Sequence, residues 1–394
     1  MQLVERHIIV KDKNIEILCV LAKNLYNQAL YYLRQATFGK IQYFKEYELS
    51  GLFAEFNQDD YKALPAQTSQ QIIKLLFKNY KSWQKARKEW LKNPSKFLSR
   101  PKLPKYKKDT SIVVFTGQQA MLKDGFIHFP VKCNLKPLKT KVDNICQVRI
   151  VPQATCFVIE VVYNKKEAIN ENLDVLKHLY VDLGLNNFAT LMNNVGLPPI
   201  IVNGKVLKSF NQWYNKTKSV FMSYVGDRGT SKGINKITLY RNNYIEDKLH
   251  KISRFVVDYC NEHNIATIVI GHNKSWKDSI NIGRKNNQAF VCLPHSKLID
   301  KITYKAALIG IRVIESEESH TSKVDHLAFE KLGHCNTYLG KRKYRGLFQS
   351  SIGKLINADV NGSIGIGRKV FGDSVVTQIL DRGLAFNPIK LNIV

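Results

Sequence analysis

Residues 178–194 read HLYVDLGLNNFATLMNN, and the architecture of the C-terminal half turns on them. An apolar run ends in a glycine–asparagine turn and a second apolar run follows, the pattern of a buried strand, a turn and another strand. Asp182 lies inside the first run. A carboxylate in an apolar strand is expensive to bury unless it is paired or holds a metal. Downstream, GKVLKSFNQWYNKTKSV opens a long basic helical region, GDRGTSKGINK is a polar loop, and a second long helix is expected at about Tyr240–His263. ATIVIG is an apolar strand followed by the loop HNKSWKDS. SKLIDKITYKAALIG is an amphipathic helix, IRVIESEES a strand ending in acids, and INADVNGSIGIGRKVF a loop entering a helix. Strand pair, helices, strand, helix, strand, helix in that order predict an α/β domain with a mixed sheet and helices on its faces.

Upstream the pattern differs. Residues 1–12 alternate apolar and polar and read as a strand. From Ile15 to about Gln35, Leu18, Leu21, Leu25, Ala29, Tyr32 and Leu33 recur at helical spacing. A basic helix over roughly Ala66–Lys92 carries Lys74, Lys78, Lys81 and Lys85 together with Trp83. It runs into NPSKFLSRPKLPKYKK, whose three prolines and missing apolar period make it an extended basic connector. Residues 111–163 hold short β runs, as in a small barrel or sandwich. The polar stretch Asn164–Asp174 marks the break between the halves.

Composition narrows the function. The chain has 394 residues, enough for two or three domains. Its 60 Lys+Arg against 32 Asp+Glu give a net charge of +28. Self-repulsion at that charge is relieved by a polyanion, of which nucleic acid is the commonest, whereas a generally basic, solvated surface is the plainer reading. The apolar content excludes global disorder, and no apolar stretch approaches a membrane span. The charged N-terminus is not a signal peptide. The seven cysteines include no CxxC pair, which argues for a reducing compartment and against both a disulfide scaffold and a Cys-based zinc ribbon.

Three acidic elements stand at element ends: Asp182, the pair Glu317 and Glu318, and Asp359. Alone, Asp359 reads as a helix N-cap and the glutamates as solvated strand-end acids. Together they are the raw material of a two-metal nuclease site, since carboxylates are hard ligands for Mg²⁺. Arg34, Gln35, Lys74, Lys78, Lys81, Lys85 and the run Lys102–Lys108, Lys105 included, are expected to track phosphates, and Tyr106 to stack on a base. Trp276 beside Lys277 is a candidate base-stacking residue, and the basic loop with Lys341, Arg342, Lys343 and Arg345 a further contact.

VDLGLNNFATL resembles the first RuvC motif, and INADVNGSIGIGRK the third, of the TnpB/OrfB proteins of insertion sequences, relatives of type V CRISPR effectors and Fanzor proteins. The resemblance continues through LAKNLYNQALYYLRQ, NPSKFLSRPKLPKYK, GHNKSWKDSINIGRKNNQAF and ESHTSK, and so covers nearly the whole chain. It implies an RNA-guided DNA endonuclease, in a family often labelled transposase. The implied plan is an RNase H-like RuvC domain over residues 171–376, preceded by a β-barrel wedge domain (1–12 and 99–170) with a helical recognition insertion (13–98) and followed by a C-terminal tail (377–394). The implied cofactors are Mg²⁺ or Mn²⁺ and a guide RNA from the transposon end. The implied partner is a double-stranded DNA target, with no membrane, in the cytoplasm on the nucleoid or in a nucleus.

Two departures stand out. The position of the family's second acid is Gly271, which has no oxygen to offer. Glu318, three residues before Thr321-Ser322, is the expected substitute on a strand beside that of Asp182, with Glu317 the fallback on the opposite strand face. The family's zinc ribbon is also missing: Cys335, His320, His326 and His334 are poorly spaced, and no zinc is expected at about 323–350. The alternative function is a nuclease-dead, RNA-guided DNA-binding protein, favoured by Gly271 and disfavoured by the retained Asp182 and Asp359. A guide-free strand-transfer enzyme has no separate support.

Overall fold

The computed structural model describes residues 1–226, 229–273, 293–382 and 385–393. The chain divides into two compact units, Met1–Lys165 and Lys166–Val394. The break expected at Asn164–Asp174 falls there.

The first unit opens with β1 (Gln2–Ile9) and α1 (Lys13–Thr37). Asp12 caps the helix by accepting the Ile15 amide at 3.0 Å. Two short helices follow, α2 (Glu46–Glu55) and α3 (Asp59–Ala63), and then α4 (Ala66–Lys92). Leu18, Ala22, Leu25, Ala29 and Leu33 of α1 share one core with Ile72, Ile73, Leu76 and Phe77 of α4. Residues 97–110 run without helix or strand but are pinned along these helices. Asn27 exchanges hydrogen bonds with the Lys107 backbone, and the Trp83 indole donates to the Pro101 carbonyl at 3.2 Å.

The remaining strands are β2 (Val113–Thr116), β3 (Met121–Lys123), β4 (Phe126–His128), β5 (Leu138–Lys139), β6 (Gln147–Pro152) and β7 (Phe157–Asn164). They form two antiparallel sheets, β1-β7-β6-β2 and β3-β4-β5. The expected barrel is therefore corrected: among the described residues no ladder joins the sheets or closes either one. Strands of two or three residues have too few backbone groups to bridge the gap.

The second unit is built on β8 (Asp174–Leu183), β9 (Asn187–Asn193), β10 (Ile200–Asn203), β11 (Ile265–Gly271), β12 (Arg312–Ser316) and β16 (Ile389–Leu391). Their order is β12-β11-β8-β9-β10-β16, with β11 parallel to both β8 and β12 and β9 antiparallel to its neighbours. The helices are α5 (Lys205–Val225), α6 (Lys232–Glu262), α7 (His295–Ala307), α8 (Ala358–Phe371) and α9 (Ser374–Arg382). A small sheet comprises β13 (Lys341–Tyr344), β14 (Leu347–Gln349) and β15 (Leu355–Asn357).

Strand periodicity separates two cores. Leu179 and Val181 of β8, with Ile268 and Ile270 of β11, pack with Leu249 and Ile252 of α6 and Leu298 of α7. Tyr180 and Val269 pack on the opposite face with Val360, Ile364 and Ile366 of α8. Side chains two apart share a face, so Asp182 lies on the α8 side with Tyr180, and Gly271 with Val269. Near the C-terminus α9 runs to Arg382, and β16 extends the sheet beside β10. Among the described residues, no helix is long and apolar enough to cross a membrane.

Candidate active site

Helix α8 lies close against β8 because its sequence, NGSIGIG, is small where the strand passes. A Cβ at Gly367 would stand 2.8 Å from the Tyr180 ring, and one at Gly362 would stand 2.9 Å from Asp182 Oδ2. That approach brings the first turn of α8 to the end of β8. Asn357, not Asp359, caps the helix: its Oδ1 accepts the amides of Asp359 at 3.0 Å and Val360 at 3.3 Å. The Asp359 side chain is thereby spared for other work, and its Oδ2 accepts a hydrogen bond from Asn187 Nδ2 at 2.6 Å. Asn187 begins β9, at the far side of the turn that follows Asp182.

Asp182 is half-buried at the penultimate residue of β8. Burial pushes its carboxyl well above the usual range, and the charges of Glu318 and Asp359 push it further; Arg342 opposes them. The other two sequence-predicted acids thus both act electrostatically on Asp182. Arg342, expected to touch nucleic acid, stands near enough to be felt by the acid site.

Glu318 reaches the group by an unexpected route. It follows the end of β12 by two residues, and β11 separates β12 from β8, so β12 is not the adjoining strand foreseen from sequence. Two sheet spacings amount to about 10 Å. Gly271, at the end of the intervening β11, makes the reach possible. A Cβ there would lie 2.8 Å from Glu318 Oε2, so the carboxylate passes through the space a side chain at 271 would need. Because both glutamates follow the strand, alternation does not choose between them. Exposure does: Glu317 is exposed and lines an open cleft with His272, Asn273, Glu315 and Ser316, whereas Glu318 is half-buried.

The loop carrying Glu318 is held on both sides. Its amide donates to Asn273 Oδ1 at 3.0 Å, and its carbonyl accepts from the Thr321 hydroxyl at 2.8 Å. Lys369 of α8 donates to the carbonyls of Glu317 at 3.0 Å and Ser319 at 2.6 Å. Burial raises the Glu318 carboxyl to about 7 against the opposing charge of Lys369. Its Oε2 is buried with no hydrogen-bond partner among the described residues. Such an orphaned carboxylate oxygen calls for a cation or a proton. Chemically, three carboxylates suit a hard divalent ion. Among the described residues, however, no three His, Cys, Asp or Glu side chains stand together closely enough to hold a metal as they are. Asp359 rests on Asn187 instead.

Where the family resemblance leads one to look for a ribbon, buried polar groups organise the chain. Asp325 Oδ2 accepts from the Ser350 hydroxyl at 2.8 Å and the Ser351 amide at 2.6 Å. Glu330 accepts the amides of Asp325 at 2.6 Å and Leu339 at 2.8 Å. His326 Nε2 donates to the Thr321 carbonyl at 2.7 Å, and its Nδ1 accepts from Arg368 at 3.2 Å. Burial lowers this imidazole to about 4, so it is neutral.

The expected phosphate contacts scatter. Lys74, Lys78, Lys81 and Lys85 are exposed along one face of α4, and Lys102 and Lys105 are exposed on the connector. Arg34 instead donates to the Pro104 carbonyl at 3.3 Å and lies 5.1 Å over the Tyr106 ring, so these two fasten the connector; Gln35 is half-buried. Trp83 packs against the core. Lys341, Arg342, Lys343 and Arg345 are all exposed on and just after β13. Trp276 and Lys277 lie outside the described residues. Sequence reasoning missed Asn187, Asn273 and Lys369. Only Asn187 carried a signal, as an amide in the turn after a buried acid.

Two family models match the chain. One, described as "Probable transposase", is the OrfB model of IS605 and spans residues 160–277. The other, "Cas12f1-like, TNB domain", spans residues 295–366. The resemblance to TnpB/OrfB proteins read from the motifs is shown over these segments. Comparison with curated proteins gives no match. Among solved structures, a Cas12f1–sgRNA–target DNA complex is 16% identical, with 93% of this chain and 98% of that one covered at a TM-score of 0.38. The mini-RNA-guided endonuclease Cas_phi3 is 10% identical over 95% and 92% at 0.45. CasPhi-2 bound to crRNA and phosphorothioate-DNA is 10% identical over 96% and 92% at 0.46.

Proposed function

We propose that this TnpB/OrfB-like chain is an RNA-guided DNA endonuclease of a transposable element, hydrolysing phosphodiester bonds at Asp182, Glu318 and Asp359. One observation carries the reading: the half-buried Glu318 carboxylate lies over Gly271 in electrostatic reach of Asp182, and its buried Oε2 has no hydrogen-bond partner among the described residues. A carboxylate is costly to bury without a partner, and function is the usual reason the cost is tolerated. The two family-model matches support the reading. The mixed sheet covered by helices on both faces supports an RNase H-like domain.

Asp182, Glu318 and Asp359 would hold divalent cations, Mg²⁺ or Mn²⁺. Cations held there would supply an activated water and would offset the charge that develops on the leaving oxygen. The protein's own part is positional. Asn187 orients Asp359, Asn273 and Lys369 fix the loop that presents Glu318, and Arg342 adds positive charge where a phosphate would approach. The exposed lysines of α4 and the connector suit a guide RNA and its DNA target, held mainly through phosphates. Such a protein works in the cytoplasm on the nucleoid, or in a nucleus. A nuclease-dead role would rest on Gly271 having no side chain, and the Glu318 carboxylate above it weighs against that.

The test is to purify the full chain from cells carrying its flanking DNA and sequence the RNA that comes with it. A defined transposon-end transcript, which then directs cleavage of a matched plasmid, is expected. Random cellular RNA and no directed cleavage would refute the proposal.

A further inference from the structure

A feature of the second unit lies outside the acid site. Helix α5 carries Lys205, Lys208, Lys216 and Lys218 and no acid, and α6 has no acid before Glu246. Where the helices face each other their aromatic rings gather. Phe210 stacks on Tyr244 at 3.9 Å and lies 5.3 Å from Trp213 and 5.6 Å from Tyr240. The inner pair closes the seam between the helices. The outer pair is not consumed by it: Trp213 and Tyr240 stand 6.1 Å apart, edge to face, and remain 43% and 56% exposed. Lys216, one turn along from Trp213, and Lys236, one turn before Tyr240, are also exposed.

The hairpin is joined to the acid site through one turn. The Gly204 amide donates to the Asn186 carbonyl at 2.8 Å, and Lys208 Nζ donates to Asn186 Oδ1 at 3.2 Å. The next residue, Asn187, holds Asp359. At about 1.5 Å per residue, Trp213 lies roughly 12 Å along α5 from its start, the length of three or four stacked nucleotides.

We propose that the base of this hairpin is a binding site for single-stranded DNA, with bases stacking on Trp213 and Tyr240 and phosphates on Lys208, Lys216 and Lys236. It deepens the endonuclease reading and rests on it. The chemistry favours a single strand over a duplex, because an exposed ring pair stacks only with a base whose face is free. The absence of acids along the face suits a polyanion rather than a second protein surface.

The experiment uses the full chain with its co-purified RNA. A dT20 oligonucleotide carrying 5-iododeoxyuridine is photo-crosslinked and the modified peptides are mapped; affinity for fluorescein-labelled dT20 is followed by anisotropy. Crosslinks at Trp213 or Tyr240 are expected. Trp213→Ala and Tyr240→Ala should each weaken dT20 binding about tenfold, with RNA retention and melting temperature unchanged. Lys216→Ala should lower the slope of log affinity against log salt by about 0.7. Crosslinks confined to other peptides would overturn the site, as would unchanged affinity. A Trp213→Ala variant that turns a dimer into a monomer would overturn it too, assigning the face to a second copy. Binding of dT20 through Trp213 without any guided cleavage would keep this site and discard the endonuclease reading. Guided cleavage with a silent Trp213→Ala would do the reverse.

Discussion

Replacing Gly271 by alanine adds one methyl group at the point where the account is most exposed. The new Cβ would run into Ile366 Cδ1 and would lie 3.0 Å from Ile366 Cγ1 and 2.8 Å from Glu318 Oε2. Ordinary contact begins near 3.4 Å, so the isoleucine methyl must retreat by about 1 Å and the carboxylate oxygen by about 0.6 Å. Ile366 is fully buried, and overpacking of this kind costs about 1–3 kcal/mol. For a unit of this size that lowers the melting temperature by roughly 2–10 °C. On the proposed function, displacing the Glu318 carboxylate oxygen by about 0.6 Å should cut cleavage by up to about 10²-fold. The two losses separate in the double variant Gly271→Ala/Ile366→Val, which removes Cδ1. Thermal melting should recover most of its loss while single-turnover cleavage of a guide-matched plasmid stays low. Wild-type cleavage by Gly271→Ala, or full recovery in the double variant, would refute the steric link between Gly271 and Glu318.

Glu317→Gln should be nearly silent in the same cleavage assay, because that side chain faces solvent. Lys369→Met should cost at least tenfold in cleavage by freeing the loop it ties to α8, with partial rescue by Lys369→Arg; full activity in the methionine variant would remove Lys369 from the site. His326 is held near 4 when folded against about 6.5 when free, so the unfolded chain takes up the proton first. Its contribution is complete above pH 6.5 and is lost as pH falls toward 4, roughly 3 kcal/mol in all. Glu318 moves the opposite way, its raised carboxyl lowering stability as pH climbs from about 4.5 to 7. Over pH 4.5 to 7 the two effects nearly cancel in the wild type, so urea melts should show stability falling with pH for His326→Gln and rising with pH for Glu318→Gln, each relative to the wild type. Parallel curves would contradict the burial argument.

Much of the second unit was legible because apolar period and punctuation agree there. The runs ending at Asp182 and Gly271 are strands, and the small-residue run after Asp359 is a helix packed against one of them. What sequence could not carry was lateral order. Nothing local states that β11 separates β12 from β8, so Glu318 was placed on the wrong neighbour although the residue itself was named. Helices α2 and α3 escaped notice because ten and five residues hold too few turns for a periodic signal. Strand β16 has no signal of its own in the sequence, because a three-residue edge strand gains its definition only from β10. Asn187 and Lys369 act through contacts with residues far away in sequence, Asp359 and the 317–319 loop, which no spacing rule anticipates.

One comparison bears on the whole account: cleavage and binding of a guide-matched plasmid by the RNA-loaded wild type and Glu318→Gln side by side in Mg²⁺. Glutamine keeps the shape of the side chain and removes its charge. The account predicts that the wild type cuts, that the variant loses cutting by two or more orders of magnitude, roughly the cost of a misplaced reacting group, and that both bind the target alike. Equal cutting by the two proteins would contradict the role given to Glu318, and guided binding without cutting by the wild type would make this chain a DNA-binding protein rather than a nuclease.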